Sequence, residues 1–273
     1  MILHPAMSGP VVRATPETPQ YTLRKILLLW FAVAAPMGLF RFVLHPWLMP
    51  RVDLHPGILY WWLMIVGMMW QCALTIVVLR RESNQWTWRA LKARLWLNPP
   101  VHPERHRCYL RAYLYTVPVI LFAFAVEQSG WLDWIETQVI SWWPVLESPS
   151  YILIQSLQAL ADSGAWYILG IALISSVFNY LLGEELFFRG LLLPRMIDVF
   201  GRYAWAANGV LFATYHVHKI AEVPVFIVGS LFYGFLNQRY RSFWPSVLIH
   251  GVEGVVLIGM ILSALMMSSH RGF

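Results

Sequence analysis

Charged residues are scarce in this chain of 273 residues: Asp, Glu, Lys and Arg together make up 12% of it. Soluble domains carry roughly 25% charged residues, and 58% of this chain is hydrophobic, so a water-soluble fold is excluded. Cysteine is scarce too, with Cys72 and Cys108 alone, which excludes a disulfide framework and a paired CxxC metal site. The 15 Trp, 12 Tyr and 15 Phe are typical of a protein with membrane interfaces.

Several protease signatures are also missing. The chain has no H-E-x-x-H, which excludes the zincin and site-two metalloprotease pattern. It has no G-x-S-x-G nucleophile elbow, and neither a rhomboid-like serine motif nor the paired aspartates of presenilin-type proteases is found.

Apolar segments long enough for the bilayer recur along the chain. A helix needs roughly 20 mostly apolar residues to cross the hydrocarbon. The predicted spans are 25–44, 58–79, 109–126, 166–183 running on into 184–199, 203–218, 223–238 and 244–267. The segment 150–161 is apolar but short. The sequence therefore predicts an all-α polytopic membrane bundle with seven or eight transmembrane helices.

The charges between the spans predict the orientation. The loop 80–111 holds eight Arg and Lys residues, whereas the loop 127–165 holds five acidic residues and no Lys or Arg. Positive charge is retained on the cytoplasmic side of membranes. We therefore expect the N-terminus and the loop 80–111 in the cytoplasm, and the loop 127–165 outside. Because the basic residues lie between apolar spans, a nucleic-acid partner is not expected.

Ionisable residues inside the spans concentrate in the last ninety residues. Such groups cost roughly 2.5–3.5 kcal/mol each on insertion scales and are functional candidates by default. Glu184, His216 and His250 lie at comparable predicted depths on three different helices. One carboxylate and two imidazoles meeting in one layer can activate a water molecule, or bind a divalent metal such as zinc.

Glu184 and Glu185 are expected to differ in role. Glu185 and Arg189 are four residues apart and share a helix face, so they can form an ion pair. Glu184 is rotated by roughly 100° from Glu185. A buried carboxylate without a partner can act as a general base, which makes Glu184 the candidate for chemistry.

These residues carry a resemblance to a known family. Glu184, Glu185 and Arg189 match E-E-x-x-x-R, the segment 212–216 matches F-x-x-x-H from Phe212 to His216, and His250 opens the third motif, H-x-x-x-N. In order and spacing the chain resembles the CPBP family of CAAX proteases and bacteriocin-processing enzymes, including the CAAX prenyl protease 2 type. The match covers roughly residues 165–260.

The resemblance implies an all-helical membrane fold with a cavity open to the cytosol. It implies an intramembrane endopeptidase in which Glu184 activates water, helped by His216 and His250. Glu185, Arg189, Phe212 and Glu253 would support them, and a metal, if one is used, would be held by Glu184, His216 and His250. The substrate would be a membrane-anchored peptide or protein, and the location a bacterial inner (cell) membrane.

One position departs from the family pattern. The family's Asn, four residues after the last His, is Gly254 here. That Asn is thought to stabilise the oxyanion, and losing an oxyanion donor can cost roughly 10²–10³ in rate. A backbone N–H or His250 itself could substitute.

Two further function classes stay open. The first is a non-catalytic relative that acts as a membrane scaffold or bacteriocin immunity protein, and the second is a proton-coupled transporter that uses the intramembrane charges as a relay. The expected organisation is a polar cytoplasmic tail over 1–23, N-terminal transmembrane helices and loops over 24–164, and the catalytic membrane core over 165–268.

Overall fold

The computed structural model of the chain is an all-α bundle, and the described residues are 18–83, 86–149, 160 and 165–271. The N-terminal helices are α1 (Leu23–Leu39), α2 (His45–Leu48), α3 (Pro56–Glu82), α4 (Trp88–Arg94), α5 (Thr116–Gln128) and α6 (Trp131–Trp142). The C-terminal helices are α7 (Tyr167–Val177), α8 (Ile197–Phe200), α9 (Ala204–Tyr215), α10 (Val223–Tyr240) and α11 (Trp244–Arg271). No named β-strand occurs in these described ranges.

Short π and 3₁₀ segments join several of these helices. Helix α1 continues through a π segment, Phe40–Leu44, into α2, while a 3₁₀ segment, Leu110–Tyr115, leads into α5 and another, Pro144–Leu146, follows α6. Helix α7 is followed by the π segments Phe178–Leu182 and Leu186–Leu192 and the 3₁₀ turn Leu193–Arg195. Further 3₁₀ turns, Gly201–Tyr203 and Val217–Glu222, precede α9 and α10.

Six helical stretches among the described residues are long and apolar enough to cross a membrane. They are Leu23–Leu48, Pro56–Glu82, Leu110–Gln128, Tyr167–Arg195, Val217–Tyr240 and Trp244–Ser268. Their lipid-compatible surface is extensive, because large apolar side chains such as Phe31, Leu121 and Val255 are exposed. The chain is an integral membrane protein built as a polytopic helix bundle.

The predicted crossing over 203–218 differs from the others in length. Helix α9 has 12 residues, and at about 1.5 Å per residue it is about 18 Å long. The hydrocarbon core is about 30 Å thick, so α9 by itself is too short to cross it, and His216 lies at its C-terminal end. The number of crossings, seven or eight, stays a prediction, and the short apolar segment 150–161 lies outside the described residues except at Leu160.

One buried ionic cluster connects the helix ends near the basic loop. Glu82, at the end of α3, accepts hydrogen bonds from Arg94 at 2.6 Å and from Arg195 at 2.7 and 2.8 Å. The Tyr21 hydroxyl donates to the same carboxylate. We call these four residues, Tyr21, Glu82, Arg94 and Arg195, the Glu82 cluster. They connect three chain segments at one end of the bundle, and each of these segments carries basic residues.

The packing core lies beside this cluster. Phe187, Phe188, Leu191, Leu192 and Leu193 are fully buried at its centre. Phe187 and Phe188 of the glutamate motif, and the leucines that follow it, are thus buried in one core with side chains of α1, α3, α9 and α10.

Candidate active site

Glu184 lies at a break between two π segments. Gly183 donates its N–H to the carbonyl of Phe178, five residues earlier, at 2.6 Å. A β-carbon at Gly183 would lie 2.5 Å from that carbonyl oxygen and 2.9 Å from the carbonyl oxygen of Met68 on α3. Only glycine allows this close approach, and π segments of this kind occur frequently at functional sites.

The carboxylate of Glu184 is buried and surrounded by polar side chains. Its residue is 4% exposed, and the Tyr215 hydroxyl donates to Oε1 at 2.5 Å. The Nε2 atom of His216 lies 3.9 Å from Oε1, and the Nε2 atom of His250 lies 4.0 Å from Oε2. The structure therefore brings Glu184, His216 and His250 together around one buried carboxylate.

Asn179 is a further partner of Glu184. A carboxamide oxygen placed there would face the carboxylate oxygens, so the nitrogen must face them instead. In that orientation Nδ2 donates to Oε2 at 2.9 Å and to Oε1 at 3.2 Å.

His216 caps the C-terminal end of α9. Its Nδ1 lies 2.9 Å from the carbonyl oxygen of Phe212, four residues earlier. A carbonyl only accepts, so Nδ1 carries the proton and Nε2 keeps its lone pair. The rings of Tyr215 and Phe226 lie 4.5 Å from the imidazole, which fixes the direction of Nε2 toward Glu184.

His250, on α11, lies between the two neighbouring glutamates. Its Nδ1 donates to Oε1 of Glu185 at 3.0 Å, so Nε2 is the atom that faces Glu184. The Tyr180 ring contacts the imidazole edge to face, with 4.8 Å between the ring centroids. The two glutamates of the motif therefore reach opposite nitrogens of one histidine.

Glu185 and Arg189 form the expected i, i+4 ion pair. Nη1 of Arg189 lies 3.1 Å from Oε1 of Glu185, and both side chains are fully buried. The guanidinium carbon lies 3.9 Å from the centroid of the Phe212 ring, a cation–π contact. In the described residues Nε and Nη2 of Arg189 have no hydrogen-bond partner, so Phe212 and Glu185 together hold this cation.

Glu253 lies at the rim of the site. Its side chain is 58% exposed, and its Oε2 lies 3.7 Å from Nε2 of His250. The hydroxyl of Tyr233 donates to Oε1 of Glu253 at 2.9 Å. Glu253 thus contacts the site from a more solvent-accessible position than Glu184.

Four side chains at this site are not part of the three sequence motifs. They are Asn179, Tyr180, Tyr215 and Tyr233. Asn179 could have been noticed as the one carboxamide in the apolar stretch 166–183. Tyr215 directly precedes His216, whereas nothing in the sequence singles out Tyr180 or Tyr233.

The donor set also bears on metal binding. Within the described residues no group of three His, Cys, Asp or Glu side chains is close enough to hold a metal ion as arranged. A zinc ion bonded at about 2.0–2.1 Å to a nitrogen and an oxygen in tetrahedral geometry holds the two about 3.4 Å apart. The separations of 3.9 and 4.0 Å from Glu184 are only slightly wider, so the residue types fit a metal after a small closure.

An apolar cavity lies next to the glutamate motif. It has a volume of about 320 Å³ and is lined by side chains of α3, α4, the π segments Phe178–Leu182 and Leu186–Leu192 and the start of α11, including Leu79, Leu91, Leu182, Leu186 and Trp244. Leu79 and Leu91 belong to the helices that carry Glu82 and Arg94, so the cavity lies at the end of the bundle with the basic loop.

Comparison with known proteins identifies the segment that carries this site. Residues 161–256 match the family model of the Rce1-like type II CAAX prenyl endopeptidases. This match is consistent with the CPBP (CAAX protease) family that the sequence motifs indicate. The matched segment contains Glu184, His216, His250 and the polar side chains around them, and it covers about a third of the chain. CAAX proteases of this type are membrane endopeptidases.

The other comparisons gave no match. No curated protein and no solved structure matches the chain.

Proposed function

We propose that this protein is an intramembrane endopeptidase in which Glu184 activates a water molecule that hydrolyses a peptide bond. The observation that carries the proposal is the pair of gaps of 3.9 and 4.0 Å between Glu184 and the Nε2 atoms of His216 and His250. They are too long for direct hydrogen bonds, and each suits a water molecule that bonds to both partners.

Each group has a defined part in the reaction. Glu184 removes a proton from the water, whose oxygen attacks the peptide carbonyl carbon, and the carboxylic acid then donates that proton to the leaving nitrogen as the C–N bond breaks. Nε2 of His216 accepts the other hydrogen bond of the water and positions it. His250 steadies the water or the developing oxyanion, and Glu185 holds His250 by its Nδ1–H.

The residues that would hold a metal are the same three. Were a divalent metal such as zinc bound by Glu184, His216 and His250, it would polarise the carbonyl and lower the pKa of the bound water. The positions of Glu185 and Tyr215 would serve that arrangement as well, because both orient a ligand side chain.

The apolar cavity suits a hydrocarbon part of the substrate. Its lining is apolar apart from Thr75. The π segment Phe178–Leu182, which precedes Glu184, forms one wall through Leu181 and Leu182. The substrate class is a membrane-associated peptide or protein that enters from the cytosolic side, and the expected location is a bacterial inner membrane with the N-terminus in the cytoplasm.

The experiment compares wild type with Glu184→Gln in detergent. The probe is an internally quenched peptide that ends in a farnesylated CAAX sequence, with the same peptide lacking the farnesyl group beside it. Glu184→Gln keeps the size of the side chain and removes the base, so cleavage is expected to fall by roughly 10²–10⁴. Ser176→Ala, on the same span, is the matched control and keeps wild-type activity. Cleavage that survives Glu184→Gln overturns the proposal.

Gly254 favours one other function, a non-catalytic scaffold or bacteriocin immunity protein. It replaces the Asn of the family motif. In that case Glu184→Ala leaves the cellular phenotype of the gene intact, whereas an enzyme loses it. Proton flux into proteoliposomes that disappears in Glu184→Gln would instead indicate a transporter.

A further inference from the structure

Gly254 stands opposite an aromatic ring that occupies the space of its missing side chain. A β-carbon at position 254 would lie 2.4 Å from Cε2 and 2.5 Å from Cδ2 of Tyr180. Distances below 3.0 Å are not tolerated between a β-carbon and a packed ring, and the Tyr180 ring is also fixed against His250. An asparagine at position 254 and the ring of Tyr180 therefore exclude each other.

Asn179, the residue before Tyr180, places a carboxamide next to Glu184. Nδ2 of Asn179 lies 2.9 and 3.2 Å from the two oxygens of Glu184. The nitrogen carries two N–H groups, and one of them, shared between the two oxygens, suffices for Glu184. The second remains for an oxygen that develops charge beside Glu184.

We propose that Asn179 is the oxyanion donor of this enzyme and that Tyr180 is the positioning residue that orients it. This rests on the proposed function. In the transition state one N–H of Asn179 donates to the carbonyl oxygen of the scissile bond while Glu184 takes the proton of the attacking water. Tyr180 directly follows Asn179, and its ring is held in the notch left by Gly254 and against the imidazole of His250.

The π segment explains how a residue five positions before Glu184 reaches it. In an α-helix, positions five apart point about 140° away from each other. The wider turn of Phe178–Leu182, whose hydrogen bonds run between residues five apart, brings Asn179 onto the face of Glu184. The carboxamide of Asn179 therefore lies on the helical segment next to Glu184, whereas position 254 on α11 carries no side chain.

The first test removes the donor. Asn179→Leu, of nearly the same size, is expected to lower kcat on the farnesylated quenched peptide by roughly 10²–10³. KM should change by less than about threefold, because the interaction is made only in the transition state. Asn179→Asp, which has no N–H, carries the same expectation if Asn179→Leu does not fold. Ser176→Ala, three residues earlier, serves as the control that keeps wild-type kcat.

The second test relocates the donor. Gly254→Asn alone is expected to lose activity and thermal stability, because the new side chain meets the Tyr180 ring. Tyr180→Ala with Gly254→Asn opens the notch and places a carboxamide on α11. When this pair is added to Asn179→Leu, kcat of the triple variant should be about tenfold or more above that of Asn179→Leu alone. This recovers part of the loss expected when one oxyanion donor is removed. Tyr180→Phe, which keeps the ring in the notch, should keep kcat within about threefold of wild type.

The outcomes separate the two proposals. If Asn179→Leu keeps kcat within about threefold of wild type while Glu184→Gln is inactive, the donor role is wrong and the proposed function stands. If the triple variant folds correctly but its kcat is no higher than that of Asn179→Leu, the donor role is also wrong. Cleavage by Glu184→Gln, or no cleavage of either peptide by the wild type, overturns the proposed function and the donor role together.

Discussion

At the scale of single residues, His250 is held between two carboxylates with different surroundings. Glu185 is fully buried and already bound to Arg189, whereas Glu184 is bound by the neutral donors Tyr215 and Asn179. The charge of Glu185 is therefore balanced by a fixed cation, whereas no Lys or Arg among the described residues lies within hydrogen-bonding distance of Glu184. This difference supports the assignment of proton transfer to Glu184 and of positioning to Glu185.

The Glu185–Arg189 pair provides a prediction about stability. Glu185→Gln leaves the buried guanidinium of Arg189 without its countercharge, so the free energy of unfolding should fall by about 3–5 kcal/mol. Glu253→Gln, whose side chain is 58% exposed, is the matched control and should shift it by less than about 0.5 kcal/mol. Thermal unfolding in one detergent measures both.

A double variant separates packing from chemistry at the same pair. Glu185→Leu with Arg189→Met removes both charges and should recover most of the stability lost in Glu185→Gln, since apolar groups often replace a buried ion pair without loss. Activity on the quenched peptide should stay low, because Nδ1 of His250 has lost its acceptor. A Glu185→Gln protein as stable as wild type would contradict the expected cost of the unpaired Arg189.

At the scale of helices, the sequence motifs predicted which three helices meet, and the structure places their side chains together. The i, i+4 spacing also predicted the Glu185–Arg189 pair. Regular α-helical periodicity could not predict the contact of Asn179 with Glu184, because that contact depends on a π turn. Nor could a motif show why position 254 is glycine, since the reason is a ring from a different helix.

The break at Gly183 gives a prediction for this helix. Gly183→Ala places a β-carbon 2.5 Å from the Phe178 carbonyl oxygen and 2.9 Å from that of Met68. The backbone must shift, so a destabilisation of about 1–3 kcal/mol and a displaced Glu184 with reduced kcat are expected. Gly170→Ala, on α7, meets no atom within 4 Å and is the matched control.

The Gly170 control should be at least as stable as wild type, because alanine favours the helix over glycine. Thermal unfolding and peptide cleavage are measured on both variants. Equal stability and equal kcat in the two would show that the break at Gly183 has no part in holding Glu184.

At the scale of the whole molecule, the Glu82 cluster lies at one end of the bundle, and helix α6 packs toward the other end, against the 3₁₀ turn Val217–Glu222. Arg94 and Arg195 meet in the Glu82 cluster, as the predicted common cytoplasmic side requires. Toward the opposite end, Lys219 pairs with Glu222 at 3.2 Å, and burial together with the nearby Glu222 raises the pKa of Glu136. Charge counting predicts that the Glu82 cluster faces the cytoplasm, and this orientation stays a prediction.

The orientation is tested with the native cysteines. Cys108 is exposed in the basic loop, and neither cysteine forms a disulfide. In a Cys72→Ser background, a membrane-impermeant maleimide should label Cys108 in inside-out vesicles and not in intact spheroplasts. Ser129→Cys, placed in the acidic loop of a variant without both native cysteines, should show the reverse. Labelling of Cys108 in spheroplasts would invert the topology.

The Glu82 cluster also has a consequence for biosynthesis. Three of its four members are made within the first 94 residues, but Arg195 emerges from the ribosome about a hundred residues later. Until then Glu82 has Arg94 and Tyr21 as partners and lacks its third. Completion of the cluster therefore follows the synthesis of Glu184 and the rest of the glutamate motif.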